Sequence, residues 1–211
     1  MTNFAVMKEI DDIFNLHDVQ PEPVARSLLV ARPTIDDFCF GRSVILVVEH
    51  GGEGSMGLIL NRITHLTAGR LLDGMVEHML PANADIPIYL GGPVKTDELL
   101  FVHDLPPTVM TGGEAIGDSG LHIGGDFETL GRLLATRDNL ASHVRLFVGY
   151  SGWERGQLAD ELARHDWVVL DGCHGAALLT EPQEQLWNKA VARFGDRYRL
   201  WLNWPTNPAM N

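Results

Sequence analysis

The chain has 211 residues, 45% of them hydrophobic and 21% charged, a balance that suits a self-sufficient globular core rather than a disordered or fibrous polymer. Its formal net charge is −12, and only Lys8, Lys95 and Lys189 are lysines. Proteins grip duplex DNA by neutralising phosphates, so an acidic chain without a basic run argues against direct nucleic-acid binding.

Two cysteines, Cys39 and Cys173, stand far apart outside any paired motif, which argues against a disulfide framework and for a reducing, cytoplasmic setting. No cationic-then-apolar leader opens the sequence. The longest apolar run, residues 44–48, is far too short to span a membrane, so a soluble protein is expected.

In chain order, residues 4–17 place Val6, Met7, Ile10, Ile13 and Phe14 on one helical stripe, and Pro21 and Pro23 then break the chain. This reads as an N-terminal amphipathic arm over 1–26, free to dock on its own domain or to join copies into an oligomer. Residues 27–211 follow as one domain. Residues 28–31, 44–48 and 58–60 predict buried strands, and 66–79 predicts a helix. Strands at 86–90 and 99–102 flank the turn Gly91-Gly92-Pro93. Residues 115–116 and 121–123 pair through Asp118-Ser119-Gly120, and Asp126 caps a helix running through Ala135. A strand over 144–148, a helix over 158–164, a strand over 167–170 and a helix over 183–194 closed by Gly195 complete the series. Strands arrive in clusters rather than alternating with helices, so the fold class is α+β with a mixed or antiparallel sheet.

Two motifs imitate active sites. Gly149-Tyr150-Ser151 follows an apolar run as a nucleophile elbow does, but the second glycine falls at 152, and Trp153 holds the position it should occupy. Ser151-x-x-Glu154 instead reads as a capping box for the next helix. Gly52-Glu53-Gly54-Ser55-Met56-Gly57 matches a dinucleotide fingerprint, yet β-prone residues follow it where a helix is needed, so it reads as a hairpin loop. The nine histidines show no metal-ligand spacing, and no metal or other cofactor is expected.

Many pieces stand in the order of a known family: Leu28 to Pro33, Phe40 with Ser43 to Ile45, Glu49-His50, Gly57 to Arg62, Gly91 to Val94, Phe101 to His103, Gly149 to Trp153, Gly156 to Leu158, Glu161, Trp167 and Trp187. Over about residues 27–195 the chain resembles the YqgE/AlgH family of small bacterial proteins. The resemblance implies one α+β domain around a strongly curved, partly barrel-like sheet, and no settled activity. Some members carry the label of transcriptional regulator. Alanine is frequent in the family where this chain has Ser151, and proline is usual at the positions of Ile63 and Arg155.

Glu49, His50, Asn61, Gly92, His103, Trp153 and Gln157 are the candidate ligand-binding residues, because polar groups and glycine turns gather at predicted strand ends. No residue is assigned a catalytic role. The leading expectation is a non-enzymatic module that binds a protein or small ligand in one pocket lined in part by Trp153 and Gln157. Two alternatives stand beside it: a hydrolase or transferase using His50 or His103 as base with Glu49 as orienter, and a regulator that binds DNA directly.

Overall fold

The computed structural model describes residues 20–171 and 177–204; most of the expected N-terminal arm, Cys173 and the chain from Pro205 lie outside the described residues. Within them are ten strands: β1 (Leu28–Ala31), β2 (Val44–Gly51), β3 (Gly54–Ile59), β4 (Ile63–Thr67), β5 (Pro87–Leu90), β6 (Val94–His103), β7 (Glu114–Ala115), β8 (His122–Ile123), β9 (Val144–Glu154) and β10 (Trp167–Leu170). Seven α-helices accompany them: α1 (Ala68–Leu71), α2 (Pro81–Ala84), α3 (Phe127–Thr136), α4 (Gln157–Ala163), α5 (Ala177–Thr180), α6 (Gln183–Ala192) and α7 (Arg199–Leu202). None of these helices is long and apolar enough to cross a membrane.

The strands form one sheet in the order β10-β1-β2-β3-β9-β6-β8-β7, with β4 and β5 as a side branch. Every pairing is antiparallel except β5 with β9, so the fold is the mixed-sheet α+β domain expected from the clustered strands. The path ends at β10 and β7 without joining them, so the partly barrel-like form stops short of closure.

Strand alternation explains the unbroken apolar runs. Leu28, Val30, Leu46, Leu58 and Phe147 face one core with α5, α6 and Trp201. Leu29, Ile45, Ile59, Trp153 and Trp167 face the other side with Leu158 of α4. Further along that side, Ile88, Phe101 and Leu146 pack with Leu130 and Leu134 of α3. Helices thus cover both faces along the central strands, and the residues of those apolar runs each have a core to enter.

The strand β9 organises the molecule. Its first half lies between β5 and β6, and its second half, from Ser151, pairs with β3. The handover occurs at Gly149, where φ is +68° and a Cβ would sit 2.6 Å from the Gly92 carbonyl oxygen. Gly92 is as constrained: a Cβ there would lie 2.3 Å from the Tyr150 carbonyl. Only glycine permits two backbones to approach this closely.

Ser151 is therefore not at a strand-to-helix turn. It is a fully buried residue inside β9, and its hydroxyl donates to the Gly91 carbonyl at 3.1 Å. The capping-box reading fails with it, because α4 begins at Gln157 behind Gly156. The predicted helix over 66–79 is instead β4 followed by the single turn α1. Gly69 lets α1 lie against Ala84 of α2, and Gly74 leaves helical space at φ +76°. The last long helix ends at Ala192, and Gly195 opens a 3-10 turn rather than closing α6. Asp126 does cap α3, its carboxylate accepting from the Thr129 amide at 2.8 Å.

Candidate functional site

The Gly52 loop is a two-residue turn joining β2 and β3, and the hairpin it closes forms one wall of a groove of about 770 Å³. The register of β2, β3 and β9 aligns Glu49 with Met56 and Met56 with Gly152. Alternation then puts Glu49, Met56, Gly152 and Glu154 on the sheet face that α5 and α6 cover further along, but which is open here. Gly152 leaves a low floor, flanked by Tyr150 and Val94. Glu49, Glu53 and Glu154 line this groove, and no lysine or arginine does.

Behind the groove, Glu161 fixes two of the lining residues. The indoles of Trp153 and Trp167 both donate to its Oε2 at 2.7 Å, and Gln157 Nε2 donates to Oε1 at 3.0 Å. Three neutral N–H donors converge on one carboxylate, an arrangement that aligns both rings. The rings meet edge to face at 6.2 Å. Gln157 also accepts from the Glu154 amide at 3.0 Å, which ties α4 to the end of β9. Trp153 is only 6% exposed, so it is a wall of the core rather than an open stacking platform.

The seven sequence candidates do not share one pocket. Glu49, Trp153 and Gln157 line the groove together. His50 is adjacent but points to the opposite face from Glu49, as neighbours in a strand must; its Nδ1 lies 2.7 Å from Ser55 Oγ. Glu49 is thus not placed to orient it. Gly92 is buried at the strand crossing and serves backbone approach. Asn61 is a staple, accepting from the Val44 amide and donating to the Arg42 carbonyl, each at 2.9 Å.

His103 lies far along β6, is 1% exposed, and stacks on His122 at 5.3 Å. Its Nδ1 accepts from the Leu105 amide, so the ring proton resides on Nε2 and is donated to the Gly124 carbonyl at 3.1 Å. Burial holds its pKa below the ordinary histidine value, the Gly124 bond partly offsetting it. Both nitrogens are spent, which removes His103 as a general base. Among the described residues no cluster of three His, Cys, Asp or Glu side chains could hold a metal ion.

At the other end of the β2–β3 ladder lies a second cleft of about 470 Å³, which includes Arg42, Asn61, Arg62, Gln183, Glu184 and Trp187 in its lining. Arg62 donates to the carbonyls of Cys39 and Gly41, and Arg42 to that of Trp204. The Arg42 guanidinium rests over the Trp187 ring at 5.0 Å. Burial depresses the pKa of both arginines; for Arg62 the nearby Cys39 and Asp37 act in the opposite sense.

Beneath the cleft sits Arg145, a guanidinium in the core. It is 3% exposed, lies 4.6 Å over the Tyr89 ring, and donates to the carbonyls of Leu60 and Leu179 at 3.3 and 2.9 Å. The Tyr89 hydroxyl accepts in turn from Gln183. Sequence reasoning passed over Arg145, although a lone cation inside the apolar run of residues 144–148 was a visible signal.

A family model described as AlgH-like matches residues 28–199, and the chain belongs to that family. A UPF0301 protein of Parabacteroides distasonis is 34% identical over 205 residues, spanning 97% of this chain and 100% of the relative. One from Bacteroides fragilis is 32% identical over 95% of this chain and 97% of its own length. The solution structure of the AlgH protein from Pseudomonas aeruginosa superposes with a TM-score of 0.66 at 28% identity, covering 89% of this chain and 97% of that one. A crystal structure of a Corynebacterium diphtheriae protein, at 23% identity and a TM-score of 0.67, covers 87% of this chain and 94% of that one and shows the same fold. Membership and fold do not name an activity; any activity resides in the surfaces this chain presents.

Proposed function

We propose that the chain is a non-enzymatic binding module whose recognition surface is the groove over β2, β3 and the end of β9, and that any regulatory role runs through the partner held there. One observation carries the reading: three carboxylates and no cation surround an apolar floor of Met56, Gly152, Val94 and Tyr150. That chemistry suits a protein segment combining lysine or arginine with apolar side chains, which brings both steering and buried contact area. The rigid Glu161 cluster supports it, because a wall locked before binding reduces the ordering cost of association.

The test is a titration of the full chain with a lysine–leucine peptide and its glutamate–leucine counterpart, followed by amide shifts. Selective, salt-sensitive binding of the basic peptide with shifts at Met56, Gly152 and Glu154 is expected. Glu154→Lys should weaken it about tenfold or more by placing a like charge in the groove. Equal binding of both peptides, or shifts elsewhere, would overturn the reading.

A further inference from the structure

We propose that the cleft lined by Arg42, Arg62, Asn188 and Trp187 is an anion site that takes a small molecule through a phosphate or carboxylate group. The cleft lies at the opposite end of the β2–β3 ladder from the groove, and its lining shares no residue with the groove.

The first support is charge without a direct ion pair. Neither Arg42 nor Arg62 forms an ion pair among the described residues, whose ion pairs all involve other cations. The one carboxylate lining the cleft belongs to Glu184, on an exposed residue at the start of α6. Two guanidiniums that line one cleft without a direct carboxylate pair among the described residues, Asp37 acting on Arg62 only as a nearby charge, are out of keeping with a chain of net charge −12.

The second support is geometry. A guanidinium has five N–H donors in a rigid fork. Arg62 uses Nε and Nη2 on the Cys39 and Gly41 carbonyls, which leaves Nη1 with both its protons. Arg42 uses Nη2 on the Trp204 carbonyl and stacks on Trp187, leaving Nε and Nη1. Trp187 is itself pinned, its indole donating to the Ala31 carbonyl at 2.9 Å. Among the described residues, both cations are therefore held in position by neutral groups while most of their donors have no partner, which is what pre-organised oxyanion recognition requires. The amides of Gln183 and Asn188 supply neutral donors at the rim, and the half-exposed Ile63 offers an apolar contact for the rest of the molecule.

The experiment is a titration of the full chain with inorganic phosphate and, separately, with succinate, against sodium chloride of matched ionic strength. The signals read are the side-chain N–H resonances of Arg42, Arg62 and the Trp187 indole. Saturable shifts with phosphate alone assign a phosphate group, and with succinate alone a carboxylate; either supports the site. Asn188 is exposed, so Asn188→Glu should preserve the fold while filling the site with an internal carboxylate and weakening binding at least tenfold. Glu184→Gln removes the carboxylate that lines the cleft and should tighten binding about threefold. Linear shifts identical to those in chloride, or saturable shifts untouched by Asn188→Glu, would overturn the proposal.

Discussion

The groove and the cleft sit at opposite ends of one hairpin ladder and differ in sign, and each is backed by a single ion held by neutral partners. Behind the acidic groove, Glu161 is satisfied by two indoles and an amide, all side chains, and two of these residues line the groove itself. Behind the cationic cleft, Arg145 is satisfied by backbone carbonyls and the face of Tyr89. The lesson lies in what each ion positions. Glu161 sets the posture of side chains, so its loss should loosen one wall. Arg145 gathers the end of β3 and the segment around α5, so its loss should displace whole pieces of backbone.

The contrast can be broken by substitution. Arg145→Met should have the largest effect, about 3 kcal/mol in denaturant unfolding, because at least two buried carbonyls lose their donor together. Amide shifts should spread through α5, α6 and the cleft while the groove stays in place; confinement to β9 would mean that Arg145 positions no backbone beyond its own strand. Glu161→Gln should cost less, about 1–2 kcal/mol, since an amide turns an N–H toward donors it cannot accept from. Its shifts should centre on the Trp153 and Trp167 indoles and on Gln157, with peptide binding weakened and the cleft untouched.

Ser151→Ala should cost under about 1 kcal/mol, the value of one neutral hydrogen bond to Gly91, and should leave both sites working. Loss of either site in that variant would mean that the strand crossing, rather than the two ions, governs them.

The smallest effect concerns pH. The His103 pKa is depressed below the ordinary 6.5, so the unfolded chain binds a proton that the folded one resists. Its contribution to stability is present above about pH 6.5 and is lost as pH falls below that value. Melting temperatures from pH 7.5 to 5.5 should therefore decline less steeply in His103→Gln than in the parent chain.

Much of the fold is written in local pattern. The runs at β1, β2 and β10 are apolar on both faces because both faces are covered, and Asp126 announces α3 through a contact only three residues long. What local pattern hides is β9. Gly149-Tyr150-Ser151-Gly152 has the composition of a turn, yet Gly149 is there because another backbone passes within van der Waals contact, and Gly152 faces the Tyr150 and Val94 side chains. That neighbour, Gly91-Gly92, is some sixty residues away in sequence, as the separation of Ser151 and Gly91 records. The candidate site fares likewise. Glu49 and Trp153 become neighbours only through the pairing of β3 with both β2 and β9, whereas Asn61 and His103 share their polarity but are consumed by hydrogen bonds to backbone groups. Residue type alone does not separate a spent donor from an available one.

The handover within β9 also bears on how the molecule comes apart. One continuous strand belongs to both halves of the sheet, so neither half can melt without stripping the other of its central ladder. Unfolding should therefore be cooperative across the described domain, and the slowest-exchanging amides should follow β9 from Leu146 through Trp153 without a step at Gly149.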